Sequence, residues 1–154
     1  MHFLYVGNMN NYDRINTAQH LFLTKIFEPE ENTLEFELTM GIVEESEKNL
    51  LIQGVDLGLY SPISYNESSD VFKVVFDSYI AYSVINESYE NIGETECIGK
   101  KIRIYTESNF LDYVKADTFA TDDYPREFKH YMFITLNHIV NIVSTVEPKI
   151  EKIN

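Results

Sequence analysis

The sequence predicts a mainly β protein, an antiparallel β-sandwich or open barrel with one short helix. Its apolar runs are short, recur at a spacing of roughly ten residues and are rich in Val, Ile, Phe and Tyr, which suit a pleated, half-buried surface. Aromatic residues make up 14% of the chain, whereas it has only 6 Gly and 4 Pro. Because the 154 residues contain no internal repeat and no linker composition, we expect a single domain, 1–154.

The first strands are predicted at 21–39, after a polar and irregular segment at 1–20. Within 33–39, apolar residues alternate with Glu35 and Glu37, which is the clearest period-two pattern in the chain. We therefore expect a hairpin with one buried face and one acidic face in contact with water.

The middle of the chain is predicted to form a β-hairpin over 71–87. Two runs rich in β-branched and aromatic residues flank Asp77 and Ser78, whose side chains can close a turn by bonding their own backbone. Before it, 41–49 is a charged connection. The segment 50–60 is interpreted as one bulged or bent strand, because its two glycines disfavour a helix.

The last third of the chain is predicted to contain three strands and the short helix. The helix is placed at 109–116, where Ser108 can cap it. The three strands are placed at 101–106, 130–135 and 139–144. The run at 136–146 also fits helical spacing, although its density of β-branched residues favours a strand. The alternative fold is an α+β domain in which 109–116 and 136–146 are both helical.

The net charge of −13 arises entirely in the N-terminal part of the chain. Residues 1–99 hold 4 basic and 17 acidic residues, a difference of −13, whereas residues 100–154 hold 8 of each. Such a surface repels nucleic acid and anionic membranes and attracts basic proteins. We therefore expect a basic protein as partner, no nucleic acid and no membrane. The alternative is an acidic face that only keeps the protein in solution.

The remaining sequence signals point to a reducing compartment. Cys97 is the single cysteine, which excludes an internal disulfide. The first residues lack the basic and apolar regions of a signal peptide, and no apolar run approaches the about 18 residues of a membrane helix. We expect a cytoplasmic protein. The sequence carries no signal for its oligomeric state.

No pattern typical of a catalytic, cofactor or metal site stands out. The four histidines lack metal-ligand spacing, and there is neither a Gly-x-Ser-x-Gly elbow nor a glycine-rich phosphate loop. We therefore predict no cofactor and no metal, and the sequence favours a protein without catalytic activity. His130 can act as a general base if folding brings Asp112 or Glu87 near it; the alternative is a hydrogen-bonded structural histidine.

Three stretches resemble a group of small, acidic, uncharacterised bacterial proteins. They are the run from Phe76 to Tyr89, the run from Ser108 to Val114, and the pair His130-Tyr131. Some proteins of this kind are immunity proteins, which bind and neutralise a cognate toxin. The resemblance extends over about half of the chain, and it implies no catalytic residues.

Two functions are therefore weighed. The first is a non-catalytic cytoplasmic protein-binding module, an immunity protein that neutralises a basic toxin through its acidic face. The alternative is a small-molecule-binding protein or enzyme with a pocket of Tyr, His and carboxylate side chains, in which Glu87, Arg103, Asp112 and His130 come together. The candidate binding residues of the two hypotheses are Glu35, Glu37, Tyr82, Glu87, Arg103, Asp112, His130 and Tyr131.

Overall fold

The protein is built mainly of short β-strands, with two α-helices in the part described. The computed structural model describes residues 9–45 and 47–154. The helices are α1 (Asn11–Thr17) and α2 (Asn109–Asp117). The strands are β1 (Leu21–Phe27), β2 (Leu34–Met40), β3 (Ile42–Val43), β4 (Lys48–Ile52), β5 (Val55–Tyr60), β6 (Ile63–Ser64), β7 (Val71–Phe76), β8 (Ala81–Asn86), β9 (Ile102–Tyr105), β10 (Lys129–Ile134), β11 (His138–Ser144) and β12 (Lys149–Lys152).

Two antiparallel four-stranded sheets enclose the main core. The first has the strand order β1-β2-β7-β12 and the second the order β8-β11-β10-β9. Aromatic side chains meet across the gap: the ring centroids of Phe36 and Phe133 are 4.9 Å apart, and those of Phe76 and Tyr131 are 5.3 Å apart. All four side chains are at most 3% exposed. The predicted mainly β fold with a short helix is confirmed, as a sandwich of facing sheets.

The predicted hairpin at 21–39 is confirmed. Strands β1 and β2 pair antiparallel, with Leu23 opposite Leu38 and a bulge before Lys25. Along β2, Leu34, Phe36 and Leu38 are buried, whereas Glu35 and Glu37 are half-buried on the outer face. The alternation in the sequence therefore predicts the orientation of this strand correctly.

The predicted hairpin at 71–87 is wrong, although both of its strands exist. Strand β7 pairs with β2 and β12, whereas β8 pairs with β11 in the other sheet. The short connection between them crosses from one sheet to the other, and two hydrogen bonds to the end of β11 hold it in place. The N–H of Ile80 donates to the Val143 carbonyl (2.7 Å), and the hydroxyl of Ser144 donates to the Ser78 carbonyl (2.7 Å).

The interpretation of 50–60 as one strand is wrong, because this segment folds back on itself. It contains most of β4 and all of β5, which pair antiparallel around a two-residue turn at Gln53 and Gly54. The preceding connection at 41–49 also contains β3, which pairs with β6. The chain leaves the sandwich at the end of β2 and returns to it at the start of β7.

The segment 1–20 is not wholly irregular, because it contains α1; residues 1–8 lie outside the described part. Asn10 caps this helix by accepting the N–H of Asp13 (2.8 Å). Ile15 is fully buried in the core. The side-chain oxygen of Asn16 accepts three successive backbone N–H groups, of residues 100–102, at 2.9–3.0 Å, so α1 fixes the start of β9.

In the C-terminal third, the predicted strands and helix are confirmed. Ser108 caps α2 by accepting the N–H of Leu111 (3.1 Å). The α+β alternative is wrong for 136–146, because β11 occupies most of this run. Six of the seven residues of β11 are buried, since one face meets the core between the sheets and the other lies largely beneath α2 and the 90–97 segment.

Candidate functional site

A two-stranded ribbon, formed by β4 and β5, projects from the end of the first sheet. Gln53 and Gly54 both have positive φ, of 51° and 80°, which is the type I′ geometry that matches the twist of a two-residue hairpin. Near its middle, Gly58 has φ 105° at an irregularity in the pairing, and its N–H donates to the Asp56 carboxylate (2.9 Å). The ribbon is thus a well-specified local structure.

The ribbon exposes apolar side chains on both of its faces. All eleven residues of its two strands are exposed, and Leu59 and Leu51 are 67% and 64% exposed. The exposed apolar side chains of the ribbon are Leu50, Leu51, Ile52, Val55, Leu57, Leu59 and Tyr60. Since β4 and β5 pair only with each other among the described strands, each also presents one edge of unpaired backbone groups.

Carboxylates cluster where the ribbon joins the body. Glu44, Glu45 and Glu47 lie between β3 and β4, and the last two are exposed. Lys48 forms an ion pair with Glu44 at 3.7 Å. The base of the ribbon therefore carries a net negative charge, whereas Asp56 is the one charged residue of the ribbon beyond Lys48.

The outer face of the first sheet, which the sequence predicted to be acidic, has balanced charges. One row across its four strands reads Lys25, Glu37, Lys73, Glu151, and Lys73 pairs with Glu151 at 3.4 Å. In the next row Glu35 and Lys149 flank Val75. Cross-strand neighbours of opposite sign stabilise a sheet. Glu37 lies between two lysines, whereas Glu35 has Phe27 and Val75 as direct neighbours and shares its row with Lys149, so this face does not carry charge of a single sign.

A further acidic group lies in the turn between β1 and β2, at the opposite end of β2 from the ribbon. It comprises Glu28, Glu30 and Glu31, all exposed. The hydroxyl of Tyr79 donates to the Glu28 carboxylate, and this bond raises the pKa of Tyr79 to about 12. The excess negative charge of the protein thus resides largely in turns and connections.

A cavity of about 320 Å³ lies on the outer face of the second sheet. It is situated between α2, which covers one side of this face, and the 90–97 segment, which covers the other. Ser83, His130 and Asn141 project into it from β8, β10 and β11. Phe110 and Tyr113 of α2 form an aromatic side of the cavity.

A chain of hydrogen bonds forms the floor of this cavity. The Nε2 atom of His130 is 2.7 Å from Oδ1 of Asn141, and its Nδ1 atom is 2.8 Å from Oγ of Ser108. Nδ2 of Asn141 donates to Oγ of Ser83 at 3.4 Å. With Oδ1 of Asn141 as the acceptor, a neutral His130 carries its proton on Nε2 and accepts the Ser108 hydroxyl proton on Nδ1.

The surroundings of His130 favour its uncharged form. Its side chain is 2% exposed and lies against the rings of Tyr105 and Phe110, at centroid distances of 5.1 and 5.2 Å. Burial lowers the pKa of His130, and the bond to Asn141 opposes this shift only in part. Ser108 also accepts the N–H of Leu111, so its oxygen is engaged in holding α2 and orienting the imidazole.

The structure separates the other residues singled out by sequence. Tyr131 is 3% exposed in the core between the sheets, and Tyr82 packs at the edge of that core, against Tyr79. Glu87 lies at the rim of a neighbouring depression. Arg103 donates from Nε to the Lys100 carbonyl (2.9 Å), and Asp112 is exposed in the first turn of α2.

Of the proposed quartet of Glu87, Arg103, Asp112 and His130, only His130 lines the cavity. The residues that sequence reasoning missed are Ser83, Asn141 and Phe110. One signal was present: Asn141 interrupts a run of four β-branched residues, and a polar residue in a buried strand requires a partner.

Comparison with protein-family models, curated protein sequences and solved structures gave no match to this chain. No helix within residues 9–45 and 47–154 is long and apolar enough to cross a membrane. The same residues contain no group of three or more His, Cys, Asp or Glu side chains arranged to hold a metal ion.

Proposed function

We propose that the chain is a non-catalytic protein-binding module that engages a basic protein through the β4–β5 ribbon. The observation that carries this proposal is a ribbon whose strand residues are all exposed and include seven large apolar side chains. Scattered apolar residues on a surface are ordinary, but a contiguous exposed group is typical of an interaction site.

The physical driving force is the removal of this apolar surface from water. Each Å² buried contributes roughly 25 cal/mol, and the leucines at the centre of the ribbon supply much of the available area. In addition, the unpaired edges of β4 and β5 can add a strand of the partner to the ribbon, since backbone hydrogen bonds are a common mode of recognition. Apolar side chains on both faces allow the ribbon to insert into a groove.

The charges at the base of the ribbon select for a basic partner. Glu45 and Glu47 lie beside the route by which a partner would reach the ribbon, and the whole chain carries −13. Complementary charge accelerates association and makes it sensitive to salt. The expected partner therefore has an apolar groove with Lys and Arg at its rim. The sequence resemblance to immunity proteins implies a basic toxin as this partner.

The proposal is tested by capture from the native cell with a matched pair of variants. Leu51→Ser combined with Leu59→Ser removes the two most exposed leucines of the ribbon. Phe119→Ser is the control, since Phe119 is 96% exposed and lies outside the ribbon. We expect a basic protein to be retained by the wild type and the control, to be lost with the ribbon variant, and to be released as salt rises.

Two results would contradict the proposal. In the first, the ribbon variant captures the same protein as the wild type. In the second, sedimentation velocity shows a dimer that only the ribbon variant disrupts, because the ribbon would then be occupied by a second copy of the chain. Circular dichroism of each variant establishes beforehand that its fold is intact.

A further inference from the structure

We propose that the cavity over His130 binds a small aromatic molecule that carries N–H donors and is uncharged or cationic. The cavity lies on the outer face of the second sheet and shares no lining residue with the ribbon. The inference is therefore independent of the proposed protein partner. It rests on the cavity's aromatic side, hydrogen-bonding floor, charge and size.

The aromatic side of the cavity favours a flat ring. Phe110 and Tyr113 are nearly parallel, at an interplanar angle of 16° and a centroid distance of 6.1 Å. Tyr113 remains 57% exposed, so much of its ring is accessible. Aromatic rings gain more from packing on one another than their buried area alone provides. A planar ligand can extend this existing stack.

The floor of the cavity offers polar atoms in fixed positions, and some of their hydrogen-bond donors and acceptors have no partner among the described residues. Ser83 accepts one bond from Asn141, and its own hydroxyl has a second lone pair and a proton to offer. The amide of Asn141 is oriented by its bond to His130, which is itself held by Ser108. Because these groups are fixed before binding, a ligand would lose little free energy in ordering them.

The charge of the cavity disfavours anions. Glu90 is the only lining residue with a formal charge among those described, and neither Lys nor Arg lines the cavity. A phosphate or carboxylate would be buried without a cationic partner, which is costly. An amine or amide N–H, in contrast, can donate to Glu90 or to Ser83.

The volume sets the size of the ligand. About 320 Å³ is at the lower end of the range for small-molecule sites, so a ring system of one or two rings is expected. Three indole compounds test the class because they share one ring system: indole-3-acetamide is uncharged, tryptamine is cationic and indole-3-acetate is anionic.

Binding is measured by NMR titration of the full chain, observing the backbone amides of Ser83, Ser108 and Asn141. We expect indole-3-acetamide or tryptamine to shift these signals, and indole-3-acetate to bind at least about tenfold more weakly. If none of the three compounds shifts these signals, or if indole-3-acetate binds as tightly as the others, the proposal is overturned.

Matched variants locate the binding. Tyr113→Ala removes an exposed part of the aromatic side, and we expect it to weaken binding by about tenfold. Tyr65→Ala is the control, because Tyr65 is 51% exposed and packs on Phe22 at 5.2 Å, away from the cavity. Glu90→Gln should weaken tryptamine more than the acetamide. Unchanged affinity in Tyr113→Ala, or an equal loss in Tyr65→Ala, would refute the site.

Discussion

Replacing Asn141 by Leu tests whether the buried hydrogen-bond chain stabilises the fold. The two side chains are similar in size, so the substitution leaves no large cavity. It does remove the acceptor that lies 2.7 Å from Nε2 of His130, a residue that is 2% exposed. A buried donor without a partner costs about 1–3 kcal/mol. The bond from Asn141 to Ser83 is long, at 3.4 Å, and contributes little to this loss.

We therefore expect Asn141→Leu to lower the free energy of unfolding by about 2 kcal/mol. For a chain of this length, each kcal/mol corresponds to a change in Tm of roughly 2–4 °C, so Tm should fall by about 6 °C. Urea denaturation followed by circular dichroism measures the change, and an unchanged m-value confirms that the unfolding transition is the same.

The control is a double-mutant cycle with His130→Phe. The double variant removes both partners of the bond, so it should lose less stability than the sum of the two single variants, by at least about 1 kcal/mol. Exact additivity would mean that the bond between His130 and Asn141 does not contribute. A neutral or stabilising Asn141→Leu would mean that the imidazole obtains an equivalent acceptor elsewhere.

Three further predictions concern the same core and its helix cap. Because the pKa of His130 is lowered from its ordinary 6.5, the unfolded chain binds this proton at a higher pH than the folded one. The contribution of neutral His130 to the free energy of unfolding is therefore complete above about pH 6.5 and decreases as the pH falls below that value. His130→Phe should remove this part of the pH dependence of stability between pH 7.5 and 5.5. An unchanged slope of the free energy of unfolding against pH would contradict the prediction. Ser108→Ala should cost about 1–2 kcal/mol, more than the exposed cap variant Asn10→Ala, and equal losses would argue against the bond to His130. Phe36→Ala should cost about 3–5 kcal/mol, whereas Phe119→Ala should change the urea midpoint little; a small effect at Phe36 would refute its place in the core.

The sequence predicts the strands of this protein better than their pairing. Alternation of apolar and charged residues orients β2 correctly, because that pattern depends on one strand and the core beneath it. Pairing depends on distant residues. Asp77 and Ser78 are as suitable for a connection between sheets as for a hairpin turn, and what directs the chain across is the pair of bonds to Val143 and Ser144. Residues so far away in sequence leave no local pattern.

The ribbon was missed for a related reason. A run of apolar residues in a sequence predicts burial, yet Leu51 and Leu59 are exposed, because β4 and β5 make their main contacts with each other and no other described element packs closely on their faces. The turn itself carries a weak signal, since Gly54 suits positive φ whereas Gln53 does not. The cavity likewise depends on assembly: Ser108 is predicted as a cap from its position, but its contact with His130 arises only when β10 is placed beside β9 and α2.

The arrangement of charge leads to a last prediction, about which glutamates assist association. The sequence predicts an acidic outer face on the hairpin at 21–39, but Lys25 and Lys73 flank Glu37 in the same row. The electrostatic fields of these opposite charges largely cancel at distances beyond about 10 Å in moderate salt. The carboxylates at the base of the ribbon have one lysine among them.

We therefore compare two variants of the protein that remove equal charge. Glu35→Gln with Glu37→Gln should leave the association rate with the captured basic partner nearly unchanged. Glu45→Gln with Glu47→Gln should lower it severalfold at low salt, since steering charges act mainly on the association rate, and the difference should vanish at high salt. Stopped-flow or surface-based kinetics at two salt concentrations measures both. A larger effect from the β2 pair would place the binding surface on the face of the first sheet, because screening by salt confines the influence of an exposed charge to about one Debye length.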